Sequence, residues 1–265
     1  MTAERPSIAE AVRAALLTAG PHAKAMAARA VARDWRRGRL RYAFDATMPH
    51  RPARPAAPEL MPPRDMPRRR GGSPAGRIAL WHALAHIEFV AIDLALDIVG
   101  RFGLEMGPGF VGDFLSVAAD EAMHFAVIDR HLRAMGSHYG ALPAHDGLWE
   151  AAIETRHDVA ARLAVVPMVL EARALDVTPA TIERTRAGGD ERGARILERI
   201  LDDEIRHVRF GASQFSAVCR NRSVEPDSHW KMLVQHHFRS ALKPPFNDSA
   251  RQSAGLSREI YMALA

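Results

Sequence analysis

The chain has 265 residues and a formal net charge of +5, with 48% hydrophobic and 25% charged residues, a balance that suits a folded globular protein and excludes a disordered or fibrous one. Its single cysteine, Cys219, excludes an intrachain disulfide framework, a CxxC redox pair, a four-cysteine iron–sulfur site and a zinc ribbon. No apolar run approaches the roughly 20 residues of a membrane span, and the N-terminal stretch, interrupted by Glu4 and Glu10, makes a poor signal peptide. The expectation is a reduced, cytoplasmic protein with no membrane partner. The charge is uneven, +10 over residues 1–77 and −5 over residues 78–265. A basic third of this kind can meet a polyanion such as RNA. Only 3 of the 36 basic residues are lysine, however, and an overall arginine bias produces a basic surface without any such partner.

In chain order, residues 1–47 read as an N-terminal helical segment. Ser7 caps a helix with apolar positions at Ile8, Val12, Leu16 and Leu17, Gly20-Pro21 ends it, and an alanine-rich helix runs from Pro21 to about Arg37. Residues 48–76 read as an extended arm, because eight of the 17 prolines fall between Pro49 and Pro74. The triplet Arg68-Arg69-Arg70 in this arm reads as a solvated run, with a phosphate patch as its functional alternative. Residues 77–222 predict four long helices: Arg77–Phe102, stopped by Gly103; Phe110–Met135, stopped by Gly136; Leu148 to about Asp176, kinked at Pro167; and Asp190–Cys219. Thr178-Pro179 predicts a separate short helix between the last two. Residues 223–265 predict a further helix, stopped by Pro244-Pro245, and a tail that packs back on the rest. Alternating strand patterns are absent, so the fold class is all-α, with a ferritin-like four-helix bundle at its centre.

The chemistry lies in a repeat. Asp120-Glu121-Ala122-Met123-His124 and Asp203-Glu204-Ile205-Arg206-His207 are both D-E-x-x-H, which places Glu and His on one helix face. The other two long helices each carry a glutamate among apolar residues, Glu88 in AHIEFVAIDLAL and Glu171 in VVPMVLEARAL. Such a carboxylate is costly to bury unless it is paired or binds a metal. Glu88 to Glu121 and Glu171 to Glu204 are both 33 residues, so the two glutamates of each helical hairpin lie level with one another. The predicted metal ligands are therefore Glu88, Glu121, His124, Glu171, Glu204 and His207, four carboxylates and two imidazoles in the layout of a carboxylate-bridged di-metal centre. Asp120 and Asp203 are assigned to orient the ligand histidines from outside the first ring of ligands, Asp120 acting on His207 and Asp203 on His124. His82 and His86, which flank Glu88, read as structural residues or as outer partners of the ligands rather than as ligands, with His86 placed among the outer partners, and Asp93 and Asp97 stay ambiguous.

Four features are set aside. Glu154-Thr155-Arg156-His157 is a third ExxH, but its neighbours read as a solvated face. Gly107 to Gly112 spells GxGxxG without a preceding strand and with Pro108 inside it, so it reads as an interhelical loop. Cys219 reads as a small buried side chain, while Gly211, one turn beyond His207, either permits close packing or leaves room beside the metals.

The segments AHIEFVAIDLALD, DEAMHF, YGALPAHDGLWE, VLEARALDVTP, DDEIRHV and LKPPFN together resemble the bacterial family catalogued as domain of unknown function 455, across nearly the whole chain. More distantly the site resembles tRNA-hydroxylating and quinone-hydroxylating di-iron monooxygenases. The resemblance implies a ferritin-like bundle with a di-iron centre on the same six residues. The leading functional expectation is a dioxygen-activating di-iron oxidoreductase of the oxygenase type, with two iron ions (manganese as the alternative) and an external electron donor or reductase, because one cysteine cannot build an internal iron–sulfur relay. Its substrate is a small molecule or an RNA. The competing expectations are an iron-binding ferroxidase or peroxide-detoxifying protein and a tRNA-modifying hydroxylase, and an oligomer is compatible with each.

Overall fold

The computed structural model describes residues 5–67, 72–238 and 240–265, and among these every regular element is helical. The arginine triplet at 68–70 lies outside the described residues. The chain forms two compact units, Met1–Trp149 and Glu150–Ala265.

In the first unit, α1 (Ile8–Leu16) starts where expected. The Ser7 hydroxyl accepts from the Glu10 amide at 3.0 Å, and the Glu10 carboxylate accepts from the Ser7 amide at 2.8 Å, a reciprocal cap of the first turn. Gly20-Pro21 then opens α2 (Pro21–Arg36). The proline arm is extended apart from a 3₁₀ turn at Pro63–Asp65. It is tied down rather than free, since the Met61 amide donates to the Ala144 carbonyl at 2.8 Å and the Ala53 amide donates to the Leu16 carbonyl at 3.0 Å.

Helices α3 (Pro74–Met106) and α4 (Pro108–Ala134) are joined by Gly107 alone, so they form an antiparallel hairpin. The predicted stop at Gly103 is corrected. Gly103 stays helical, and a Cβ there would collide with the Phe44 ring and with Val111, so this glycine serves close packing. The turn falls at Gly107, whose φ of +90° suits a residue without a Cβ. Phe89 of α3 and Phe125 of α4 meet in the core with ring centroids 5.4 Å apart.

The cut between the units falls inside α5 (Gly147–Glu154), within the 77–222 stretch. The predicted continuous third helix is broken after α5. Glu154 and His157 are exposed, as their surface reading requires, but Thr155 is buried. It accepts from the buried Arg162 guanidinium at 3.0 Å, and Asp158 caps α6 (Val159–Val165) by accepting from the Ala160 amide. Pro167 does not simply kink the following turn. Residues Val166–Glu171 form a π-helical segment, the wider geometry that accommodates a residue lacking an amide donor. This segment packs on α8 (Glu191–Arg222). A Cβ at Gly211 of α8 would collide with the Pro167 ring, so Gly211 permits close packing.

The helix α7 (Ala172–Ala187) runs through Pro179, which corrects the predicted break at Thr178-Pro179. Pro179 cannot donate to the Leu175 carbonyl four residues earlier. The Asn247 side-chain amide donates to that carbonyl instead, at 3.1 Å, while the Asn247 backbone amide donates to Asp176 at 3.0 Å. The segment after α9 (Pro226–His237) thus completes α7, and α10 (Asp248–Ser253) and α11 (Arg258–Met262) follow, with Ala254, Leu256, Ile260 and Tyr261 buried. Within this unit α10 packs on α7 and α8, and α11 on α9. Replacing Asn247 by Ala strands the Leu175 carbonyl and is expected to cost about 1–3 kcal/mol. In a Pro179→Ala background the restored amide satisfies that carbonyl, and the cost of Asn247→Ala should shrink by about half. Urea unfolding of the four-protein cycle measures this coupling, and an unchanged cost in the Pro179→Ala background excludes the explanation.

Candidate metal centre

Three of the six predicted ligands come together on the α3–α4 hairpin. Glu88 of α3 and Glu121 and His124 of α4 are all buried. Each offers a ligand atom within 4.8 Å of the others, a set that can hold a metal ion. The His124 Nδ1 lies 3.2 Å from a Glu88 carboxylate oxygen and 3.4 Å from a Glu121 one. Burial, and then the Glu121 charge beside it, push the Glu88 carboxyl well above its usual range, against the opposing effect of His124. Two buried carboxylates this close favour a proton or a cation between them, and with an imidazole they form the oxygen–nitrogen donor set that suits iron, manganese or zinc.

The second unit carries the other three. On α8, Glu204 and His207 are buried, with the His207 Nδ1 3.7 Å from a Glu204 oxygen. Glu171 is half-buried at the end of the π segment that packs on α8. Among the described residues, Glu171, Glu204 and His207 do not all close to within 4.8 Å of one another, so this trio is the looser of the two. Asp203 is buried, and its carboxylate is held by Arg199 at 3.0 Å and Arg206 at 2.9 Å. Asp120 is half-buried on α4.

His86 is held by the connection between α4 and α5. Its Nδ1 lies 3.0 Å from the Tyr139 hydroxyl and its Nε2 3.0 Å from the His145 carbonyl. The carbonyl can only accept, so Nε2 carries the proton and Nδ1 accepts from Tyr139. Burial pulls the His86 pKa down to about 4, which keeps the ring neutral. His82 acts similarly, its Nε2 accepting from the Gly140 amide at 3.0 Å. Both histidines brace the 139–147 connection against α3. Asp93 and Asp97 also find partners. Asp97 accepts from Arg101 at 2.8 Å. Asp93 accepts from Lys24 at 2.6 Å and pairs with Arg54 at 2.7 Å, and the Lys24 ammonium also donates to the Ala53 carbonyl.

Sequence reasoning missed that buried pair. Lys24 is fully enclosed, and burial lowers its pKa although Asp93 opposes the shift. The pattern contained a signal: positions 24, 28, 31 and 32 mark the buried stripe of α2, and Lys24 stands on it.

The fold and site define an all-helical protein with a buried cluster of carboxylates and imidazole that can hold a metal ion. The chain matches the family described as "Protein of unknown function (DUF455)" over residues 17–262. It is 41% identical over 210 residues to an uncharacterized protein of Haemophilus influenzae, an alignment covering 77% of this chain and 73% of that one. It belongs to the DUF455 family. No solved structure matches it. No described helix is long and apolar enough to cross a membrane.

Proposed function

We propose that the protein is a ferritin-like di-metal carboxylate protein, with Glu88, Glu121, His124, Glu171, Glu204 and His207 as ligands, and that it is an O₂-activating oxidoreductase. The observation that carries this reading is the buried Glu88–Glu121–His124 set on the first hairpin. The D-E-x-x-H repeat supports it, because α8 presents Glu204 and His207 in the same relation and Glu171 stands at the same 33-residue offset. The π segment ending at Glu171 adds weight, since such segments recur at functional sites.

In this reading the carboxylates supply the negative charge that holds two divalent ions, and the histidines supply one neutral nitrogen donor each. Asp120 and Asp203 orient the imidazoles from outside. Bound iron supplies one-electron redox chemistry toward dioxygen. An external reductase supplies electrons and a small molecule is the substrate. RNA is less favoured, because part of the basic surplus is spent internally: Lys24 and Arg54 on Asp93, and Arg51 on Asp146 at 2.6 Å.

The test is anaerobic loading with Fe(II) followed by exposure to O₂. The expected result is consumption of about one O₂ per two irons, with the iron retained by a protein of small native mass. Oxidation of iron in large excess over two per chain, within a cage-sized oligomer, instead supports a ferroxidase. An absence of O₂ uptake by the loaded protein contradicts both.

A further inference from the structure

The second unit contains a cavity of about 250 Å³ whose wall includes Val169, Phe238 and Phe246 on the apolar side and Arg173, Lys243 and Arg251 on the polar side. Asp176 is the one carboxylate among the described residues of the lining, so three cations face one anion.

The arrangement of Arg251 sets this cavity apart from an ordinary surface hollow. Arg251 is only 2% exposed. Its Nε and Nη2 engage Asp176 side by side, at 2.8 and 2.7 Å, and the guanidinium stacks on Tyr261 and Phe246 with its carbon 4.5 and 5.0 Å from the ring centroids. Its remaining nitrogen, Nη1, is buried and donates to no protein atom. A buried charged donor left without an acceptor is costly. Arg173 donates to the carbonyls of Lys243 and Pro245, which fixes that stretch as one wall of the cavity.

We propose that this cavity binds a small carboxylic acid with a short apolar tail. The carboxylate is held by the positive charges of Arg173, Lys243 and Arg251, and the tail lies against Val169, Phe238 and Phe246. Three cations against one carboxylate in the wall favour an anionic head group. A cavity of 250 Å³ is smaller than the range for drug-sized ligands, which selects a short chain. None of the six proposed metal ligands is among the residues that line the cavity, although Val169 and Arg173 flank Glu171 in sequence.

Titration calorimetry on the full-length protein with hexanoate tests the proposal, with acetate, hexanol and inorganic phosphate as comparison probes. Hexanoate is expected to bind at least about 10-fold more tightly than each of the other three. Lys243→Met and Arg173→Met leave the buried Arg251–Asp176 pair in place, and each is expected to weaken hexanoate about 10-fold, equivalent to about 1.4 kcal/mol. Thermal unfolding confirms that the variants are folded. Failure of hexanoate to bind at millimolar concentration overturns the proposal. So does hexanol or phosphate binding as tightly as hexanoate, or equal hexanoate affinity in the folded variants.

Discussion

Replacing Asp93 by Ala is expected to destabilise the protein by about 3–5 kcal/mol, the usual cost of leaving one member of a buried ion pair unmatched. Lys24 is fully enclosed and donates to Asp93 at 2.6 Å. Burial already lowers its pKa, so without the carboxylate the lysine is left either charged in an apolar site or neutral. Arg54 has a second carboxylate nearby, Asp146 at 3.7 Å, and is less exposed to the loss. The double replacement Lys24→Met with Asp93→Leu removes both charges and fills the space with apolar atoms. It should recover most of the stability, because apolar substitutes for buried pairs are often neutral or better. Equilibrium urea unfolding reads both proteins. A loss below about 1 kcal/mol in Asp93→Ala, or a double variant as unstable as the single, is incompatible with this account of the pair.

Glu121→Gln should act with opposite signs on two quantities. In the metal-free protein, Glu88 and Glu121 are buried neighbours, and their mutual repulsion helps hold the Glu88 carboxyl above its usual range. Making one of them neutral relieves that repulsion, so the metal-free variant should be as stable as the parent or more so. Metal affinity should fall at least about 100-fold, beyond the 10–100-fold typical of losing an outer hydrogen-bond partner. Thermal unfolding with and without added Fe(II) reads both effects together. A structural role for Glu121 predicts the reverse pattern, a destabilised metal-free protein whose response to metal is unchanged.

The all-helical class was legible because apolar residues recur at helical spacing and the caps are explicit, as at Ser7 with Glu10 and at Asp190, which accepts from the Gly193 amide. The site residues of the first hairpin were legible because a glutamate in AHIEFVAIDLAL has few structural reasons to be there. Where the reading failed, the deciding partner was distant in sequence. Gly103 and Gly107 look alike as helix stops, and only Phe44, brought across from the N-terminal segment, shows that Gly103 serves packing. Thr178-Pro179 has the signature of a helix start, but Asn247, far along the chain, supplies the bond the proline lacks and the helix continues. The break at Thr155–Asp158 is the local exception, set by Arg162 reaching back 7 residues to Thr155 and 10 to the Ala152 carbonyl. For His86 the sequence left a structural role open, and the partners that hold its ring, Tyr139 and His145, lie in a connection that periodicity cannot position.

The central claim is that the buried Glu88, Glu121 and His124 are metal ligands, and the measurement that bears on it most directly is the metal content of the purified protein after equilibration with Fe(II) or Mn(II) under anaerobic conditions and removal of the excess. The account predicts two ions retained per chain in the parent and a loss of retained metal in folded Glu121→Gln and His124→Ala proteins. A parent protein that is folded and retains no metal, or variants that retain as much as the parent, would contradict it.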